Sequence, residues 1–225
     1  MNGSDLHRPE VDLVVLSRSH GSLPPAVERG IAAQRGVRLH VYRIVGEPQP
    51  DDHCRWATIA RARNAAKRLG TSRLVMYLDD DVVLAPDCIA KLAAGLARRR
   101  GFAALAADYL RESARQRFTV HVAMGATLFR RHTLAQIQFR WQNGRCECQC
   151  CCDDLRERGR AIAYLPEARA WHLKSKVERH IEHRSDKAVD AQSEDRNLAG
   201  RVLAAFDRRH LHRFCRRFLT TFRAA

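Results

Sequence analysis

The sequence predicts an α/β domain with a mostly parallel sheet flanked by helices, followed by a charged helical extension. Three observations carry this. The first two-thirds of the 225 residues alternates short β-like runs with helical patterns, as βαβ units do. One apolar run, residues 73–78, leads straight into Asp79-Asp80-Asp81, and strands of open α/β sheets present ligands at their carboxyl ends. Beyond residue 172 the composition turns charged, His-bearing and helical, which sets the expected boundary between 1–172 and 173–225.

The first strand is residues 11–16, VDLVVL, a short apolar run of the kind that is buried on both faces. A polar loop covers 17–22, and Pro24-Pro25 opens a helix reaching about Arg35. Residues 37–45 alternate as a second strand, and the prolines and acids of GEPQPDDH make the next loop. A helix over 56–69 ends at Gly70, and 73–78 is a short buried strand. Pro86 starts a helix continuing over 87–99, and 102–107 is another strand. Residues 119–129 form one or two strands broken at Gly125, with a short helix from Arg131. A short helix over 152–158 closes at Gly159, 161–165 is a strand, and 168–172 is extended.

Composition narrows the function. The hydrophobic fraction of 45% is enough for a core, and no apolar run approaches the roughly eighteen residues of a membrane-spanning helix. The apolar run near the N-terminus is too short and too polar for the core of an export signal, so the expected location is cytoplasmic, with peripheral attachment at the inner membrane face. The net charge of +15 points to anionic small substrates, acidic membrane surfaces or nucleic acid, or to a solvated basic surface. Nucleic acid is the weakest of these, because no recognition motif accompanies the charge.

Three adjacent carboxylates repel one another unless a cation sits among them. On an extended chain Asp79 and Asp81 point the same way and converge on one site. A hard ion such as Mg²⁺ or Mn²⁺, shared with phosphate oxygens, suits them. The plain alternative is an acidic turn before Pro86.

The run ARARNAAKRLGTSRLVMYLDDDVVLAPD resembles the core of family 2 glycosyltransferases, in which an Arg-Asn helix leads to a strand and a DXD motif. Arg63-Asn64 and Asp79-x-Asp81 match it. Downstream, MGATLFRRHTL supplies Gly125 and the Arg130-Arg131 helix start, and CCDDLRERGRAIAYLPEARAWH resembles the family's acidic helix, proline-ended strand and later histidine. The likeness spans about residues 11–172. It implies a Rossmann-like GT-A fold and inverting transfer of a sugar from a nucleoside-diphosphate donor to a saccharide, lipid-linked or other hydroxyl acceptor, in glycan or cell-envelope synthesis.

The resemblance also implies roles. Asp79, Asp80, Arg63, Asn64 and Gly125 would face the donor, and Asp79, Asp81 and His172 the metal. The base would be a carboxylate at the start of the acidic helix, Asp153 or Asp154, with Glu147 in reserve. Two departures stand out: IVGEP replaces the aspartates that end the second strand, leaving Glu47 nearest, and SRSHGS replaces the usual first loop. The base and sugar of the donor therefore stay open.

Five of the eight cysteines crowd into residues 146–152. Their spacing differs from paired zinc knuckles. They read either as a metal site or redox gate beside the acceptor, or as small residues lining a reduced pocket; thiols without stoichiometric metal are the expectation. Two rival functions follow from these features. A nucleotidyltransferase would share the aspartates but needs a Gly-rich basic loop that SRSHGSLPP lacks, and a Cys/His metal-binding or nucleic-acid module would draw on the cysteines and charge. In the extension, residues 206–225 place Leu211, Phe214, Phe218 and Phe222 on one helical face and Arg209, Arg213, Arg216 and Arg217 opposite. That pattern suits either an anionic membrane surface or packing on the domain or a second copy.

Overall fold

The computed structural model describes residues 8–108 and 121–173, and the expected helical extension lies outside the described residues. Strands β1 (Glu10–Ser17), β2 (Arg38–Val45), β3 (Leu74–Asp79), β4 (Val82–Leu84), β5 (Phe102–Asp108), β6 (Ala126–Arg130) and β7 (Ala161–His172) form one sheet. Its order is β2-β1-β3-β6-β5-β7-β4. Helices α1 (Pro25–Ala32), α2 (Arg55–Ala66), α3 (Cys88–Arg98), α4 (Arg131–Leu134) and α5 (Glu147–Glu157) connect the strands. The α/β class holds, but the pairing is more mixed than expected. β1 runs parallel to β2 and β3, and β5 to β7, whereas β6 is antiparallel to both neighbours and β4 to β7.

Burial explains the strand sequences. Central β1 and β3 are covered on both faces, so their apolar residues run almost continuously, and Val11, Leu13, Val15, Met76 and Leu78 sit in one core layer. Val14, Val75, Tyr77 and Phe129 sit in the other, where Tyr77, Phe129 and Phe139 meet edge to face. β2 lies at the sheet margin, where it alternates polar residues and leaves Val41 exposed. Helix α1 closes tightly on β4: a side chain at Gly30 would come within 3.1 Å of the Leu84 amide nitrogen.

A buried polar knot fixes the joint between α2 and β3. The Asp12 carboxylate, in the middle of β1 and 1% exposed, accepts hydrogen bonds from the Ser72 amide and hydroxyl, both at 2.8 Å, and is paired with Arg131. Arg131 also donates to the carbonyls of Ser72, Lys67 and Leu69, so one side chain ties the whole turn to α4. Gly70 adopts φ +67°, and a Cβ there would lie 2.2 Å from an Asp12 oxygen, so glycine is required twice over.

Two elements depart from expectation near the acidic cluster. The chain does not stay extended through Asp81: it turns at residues 80–81 and re-enters the sheet as β4, a strand the sequence did not show. β7 is one strand rather than two segments, with Pro166 accommodated where the register with β5 jumps from Ala107↔Leu165 to Asp108↔Arg169.

Candidate active site

β1 and β3 are hydrogen-bonded neighbours whose carboxyl ends coincide, since Leu16 pairs with Asp79. The turn after β3 is therefore held against the loop after β1. The Asp80 amide donates to the Leu16 carbonyl at 3.0 Å, and the Arg18 amide returns a bond to Asp80 Oδ2 at 2.9 Å. The Arg18 guanidinium reaches Asp81 Oδ2 at 2.7 Å. From the far end of β7, His172 Nε2 approaches the other Asp81 oxygen to 3.5 Å. Pairing of Val82 with His172 creates that approach, which makes β4 the element that assembles this corner.

The carboxylate cluster thus has the counter-charge its chemistry demands, supplied here by Arg18. That arginine is largely exposed. Nothing in the sequence singled it out beyond its position just past a strand's carboxyl end. A hard divalent ion fits the pair of Asp81 and His172: ligands adjacent on an octahedron at about 2.1 Å lie about 3 Å apart, close to the observed 3.5 Å. Asp79 does not join them. The described residues contain no cluster of three hard ligands at this corner, and the Asp79 carboxylate turns inward to Arg63 Nη2 at 3.1 Å.

Arg63 is not a donor-facing residue. It is 2% exposed, donates to the Met124 carbonyl at 3.1 Å, and lies between Asp79 and Glu147, whose Oε1 is 3.4 Å from its Nε. Burial disfavours its charge, but Asp79 and Glu147 outweigh that and hold the guanidinium protonated. Asn64 is likewise spent on structure. Its amide donates to the Phe139 carbonyl at 2.7 Å and accepts from the Phe139 amide at 3.0 Å. Gly125 acts through its backbone, its carbonyl accepting from the Asp79 amide at 2.9 Å.

The acidic helix begins earlier than its pattern suggested. α5 starts at Glu147 and not at residue 152, so Asp153 and Asp154 lie in its second half and Glu147 is the carboxylate at its start. Asp153 is paired with Arg145 and Arg156. Asp154 is gripped by both terminal nitrogens of Arg140, at 2.7 and 2.9 Å. Burial raises the Asp154 pKa, but Arg140 more than reverses this and leaves it below the ordinary carboxylate range. A carboxylate so held is a poor proton acceptor. Glu147 differs: it is 2% exposed, its Oε2 has no hydrogen-bond partner among the described residues, and burial pushes its pKa up against the pull of Arg63. Through Arg63 it is linked directly to Asp79.

The loop after β2 carries a further acid that the sequence reading passed over. Asp52 accepts from the Gln49 amide and the Thr58 hydroxyl and is paired with Arg61, which pulls its pKa to about 2. Arg61 also donates to the Glu47 carbonyl at 2.6 Å. Asp52 thereby braces the loop that ends the second strand.

The fold, with a carboxylate cluster where β1 and β3 end, is the GT-A fold of the solved structures it resembles. The model of glycosyl transferase family 2 matches residues 53–153, the stretch that holds Arg63, the aspartate cluster and Glu147. That match covers the part of the chain that resembles the family's core and supports the glycosyltransferase reading over the nucleotidyltransferase and metal- or nucleic-acid-module readings. Among solved structures it is similar to the mannosyltransferase PcManGT from Pyrobaculum calidifontis, in complex with GDP-Man and Mn²⁺, with a TM-score of 0.60 and 19% identity over 79% of this chain and 61% of that one. S. aureus TarS matches with a TM-score of 0.57 and 13% identity over 85% of this chain and 42% of that one. TarS residues 1–349 in complex with UDP-GlcNAc match at 0.54 and 12%, over 74% and 59%. The chain spans less than two thirds of the length of these proteins. No curated protein matches it by sequence. No helix among the described residues is long and apolar enough to cross a membrane.

Proposed function

We propose that this domain transfers a sugar, with inversion, from a nucleoside-diphosphate donor to a hydroxyl acceptor. The observation that carries the reading is the corner where Arg18, Asp80, Asp81 and His172 meet at the carboxyl ends of β1 and β3. Asp81 and His172 would hold Mn²⁺ or Mg²⁺ there. Such an ion supplies Lewis-acid stabilisation of the departing diphosphate. PcManGT, whose structure contains GDP-Man and Mn²⁺, supports this choice of donor class and ion.

The protein's own groups do the rest. Arg18, drawn off Asp81 by the incoming phosphates, would add its guanidinium to the leaving group. Asp79, fixed by Arg63 and the Gly125 carbonyl, would accept hydrogen bonds from the donor's ribose side. Glu147 is the general base of this scheme in place of Asp153 or Asp154. It would take the proton of the acceptor hydroxyl as that oxygen bonds to the anomeric carbon and the bond to the diphosphate breaks. The acceptor is a saccharide or a lipid-linked hydroxyl in glycan or cell-envelope synthesis. The amphipathic basic pattern of residues 206–225 would bring the enzyme to an anionic cytoplasmic leaflet.

Hydrolysis of a panel of nucleotide-sugars, with and without Mn²⁺, tests the reading directly. One or a few donors should be cleaved in an ion-dependent manner, and the rate should fall by about 10²–10³-fold in Asp81→Ala. Equal cleavage in excess chelator would overturn the metal assignment, and no cleavage or binding of any nucleotide-sugar would overturn the donor class.

A further inference from the structure

The cysteine-rich start of α5 brings a second set of ligands together, away from the hard-ligand corner. Cys146 caps the helix, and Cys148 lies in its first turn. His121, remote in sequence, meets both. Its Nε2 is 2.8 Å from Cys148 Sγ and 3.5 Å from Cys146 Sγ, and the two sulfurs are 3.0 Å apart. Among the described residues this is the one trio of side chains whose ligand atoms converge so closely, and no disulfide consumes either sulfur.

We propose that His121, Cys146 and Cys148 bind a zinc ion. Two thiolates and an imidazole are the soft and borderline ligands that zinc selects, whereas Mn²⁺ and Mg²⁺ prefer the oxygens around Asp81. The geometry is close to that of a tetrahedron. Zinc bonds of about 2.3 Å to sulfur and about 2.0 Å to nitrogen place sulfurs about 3.8 Å apart and nitrogen about 3.5 Å from sulfur. The distance from His121 to Cys146 already matches. The two short distances both involve Cys148, so an outward rotation of that one side chain opens the trio to fit. The N-terminus of α5 favours the thiolates through its unpaired amides and dipole, and two thiolates neutralise the ion. Water or an exogenous donor completes the fourth position.

Such a site would clip the strand-entry segment at residues 121–124 to α5. That segment leads to Gly125, whose carbonyl orients Asp79, and Glu147 sits between the two cysteine ligands. Zinc would then hold the two sides of the reaction site in register, without acting on the donor. The proposal is independent of the donor and base assignments above, because its test uses no nucleotide-sugar.

The full chain is reduced, stripped of metal under anaerobic conditions and titrated with Zn²⁺ and Co²⁺ alone. One equivalent should bind, and the cobalt form should show thiolate-to-metal charge transfer with the intense visible bands of a tetrahedral ion. Cys146→Ser and His121→Ala should weaken Co²⁺ binding by more than the roughly 10–100-fold that outer-shell changes cost, while Asp81→Asn should leave the cobalt spectrum intact. Zn²⁺ should also raise the thermal midpoint of the wild type and not that of His121→Ala, a variant at an exposed position that should fold normally. Pale octahedral cobalt without charge transfer, or binding that survives both substitutions, would overturn the site.

Discussion

With Arg18 on one oxygen and His172 near the other, Asp81 has partners that suit either an arginine or a divalent ion, but not both at once. Two expectations follow at this corner. Asp81→Ala should lower turnover by about 10²–10³-fold with the fold unchanged, read as kcat beside a circular dichroism melt. Arg18→Ala should tighten Mn²⁺ binding measured without donor, because it removes the competing cation, yet weaken binding of the nucleotide-sugar; looser Mn²⁺ binding would show that Arg18 is no competitor. For the base, Glu147→Gln should lower kcat by about 10²–10⁴-fold with KM for the donor nearly constant, whereas Asp153→Asn and Asp154→Asn should stay within a few-fold. The opposite ranking would return the role to the aspartates. The aspartate cluster was visible in the sequence because consecutive carboxylates after an apolar strand have few structural uses. Its partners were not: Arg18 reaches Asp81 because β1 and β3 end side by side, and His172 only when β4, three residues long, pairs with the end of β7.

At the scale of elements, α5 shows where sequence reading stops short. Residues 146–152 offer cysteines in place of an apolar stripe, so the first turn and a half of the helix has no visible period and the pattern starts it only at residue 152. The strands of the two-sided core were read well because continuous apolar runs bounded by Gly, Pro and acids leave little choice. The buried knot of Asp12, Ser72 and Arg131 was invisible, since its members are 60 and 119 positions apart from Asp12. Removing it should be costly. Asp12→Ala leaves Arg131 and the turn without their shared acceptor and should cost about 3–5 kcal/mol in denaturant melts. The pair of Arg140 and Asp154, whose arginine is partly exposed, should give less, about 1–2 kcal/mol for Arg140→Gln. Its pH signature has a definite sign. Asp154 is depressed in the fold, with Arg140 bonded to it and Arg158 nearby, so its contribution is present above its unfolded pKa and lost as pH falls through the folded one. Thermal midpoints should therefore drop more steeply below about pH 4 in wild type than in Arg140→Gln. Equal slopes would mean that the pair contributes nothing.

On the scale of the whole molecule, charge and core are divided unevenly along the chain. Both core layers lie within residues 11–170, and the sheet's edge pairing of β4 with β7 ends at His172. The net charge of +15 is shared between this domain and a C-terminal stretch in which arginines and phenylalanines alternate at helical spacing. Truncation tests the proposal that residues 174–225 serve attachment and that the preceding domain folds without them. A chain ended after Leu173 should keep the thermal midpoint of the parent and its affinity for nucleotide-sugar, because no described core residue lies beyond the cut. It should lose flotation with vesicles of anionic lipid. In the parent that flotation should weaken as salt rises, since each basic residue near the surface contributes about 1 kcal/mol and is screened over about 10 Å at 0.1 M. Two results would point elsewhere. A truncated chain that unfolds would show that the extension completes the core, and a parent that ignores anionic vesicles at low salt while its sedimentation indicates a dimer would assign the phenylalanine face to a second copy.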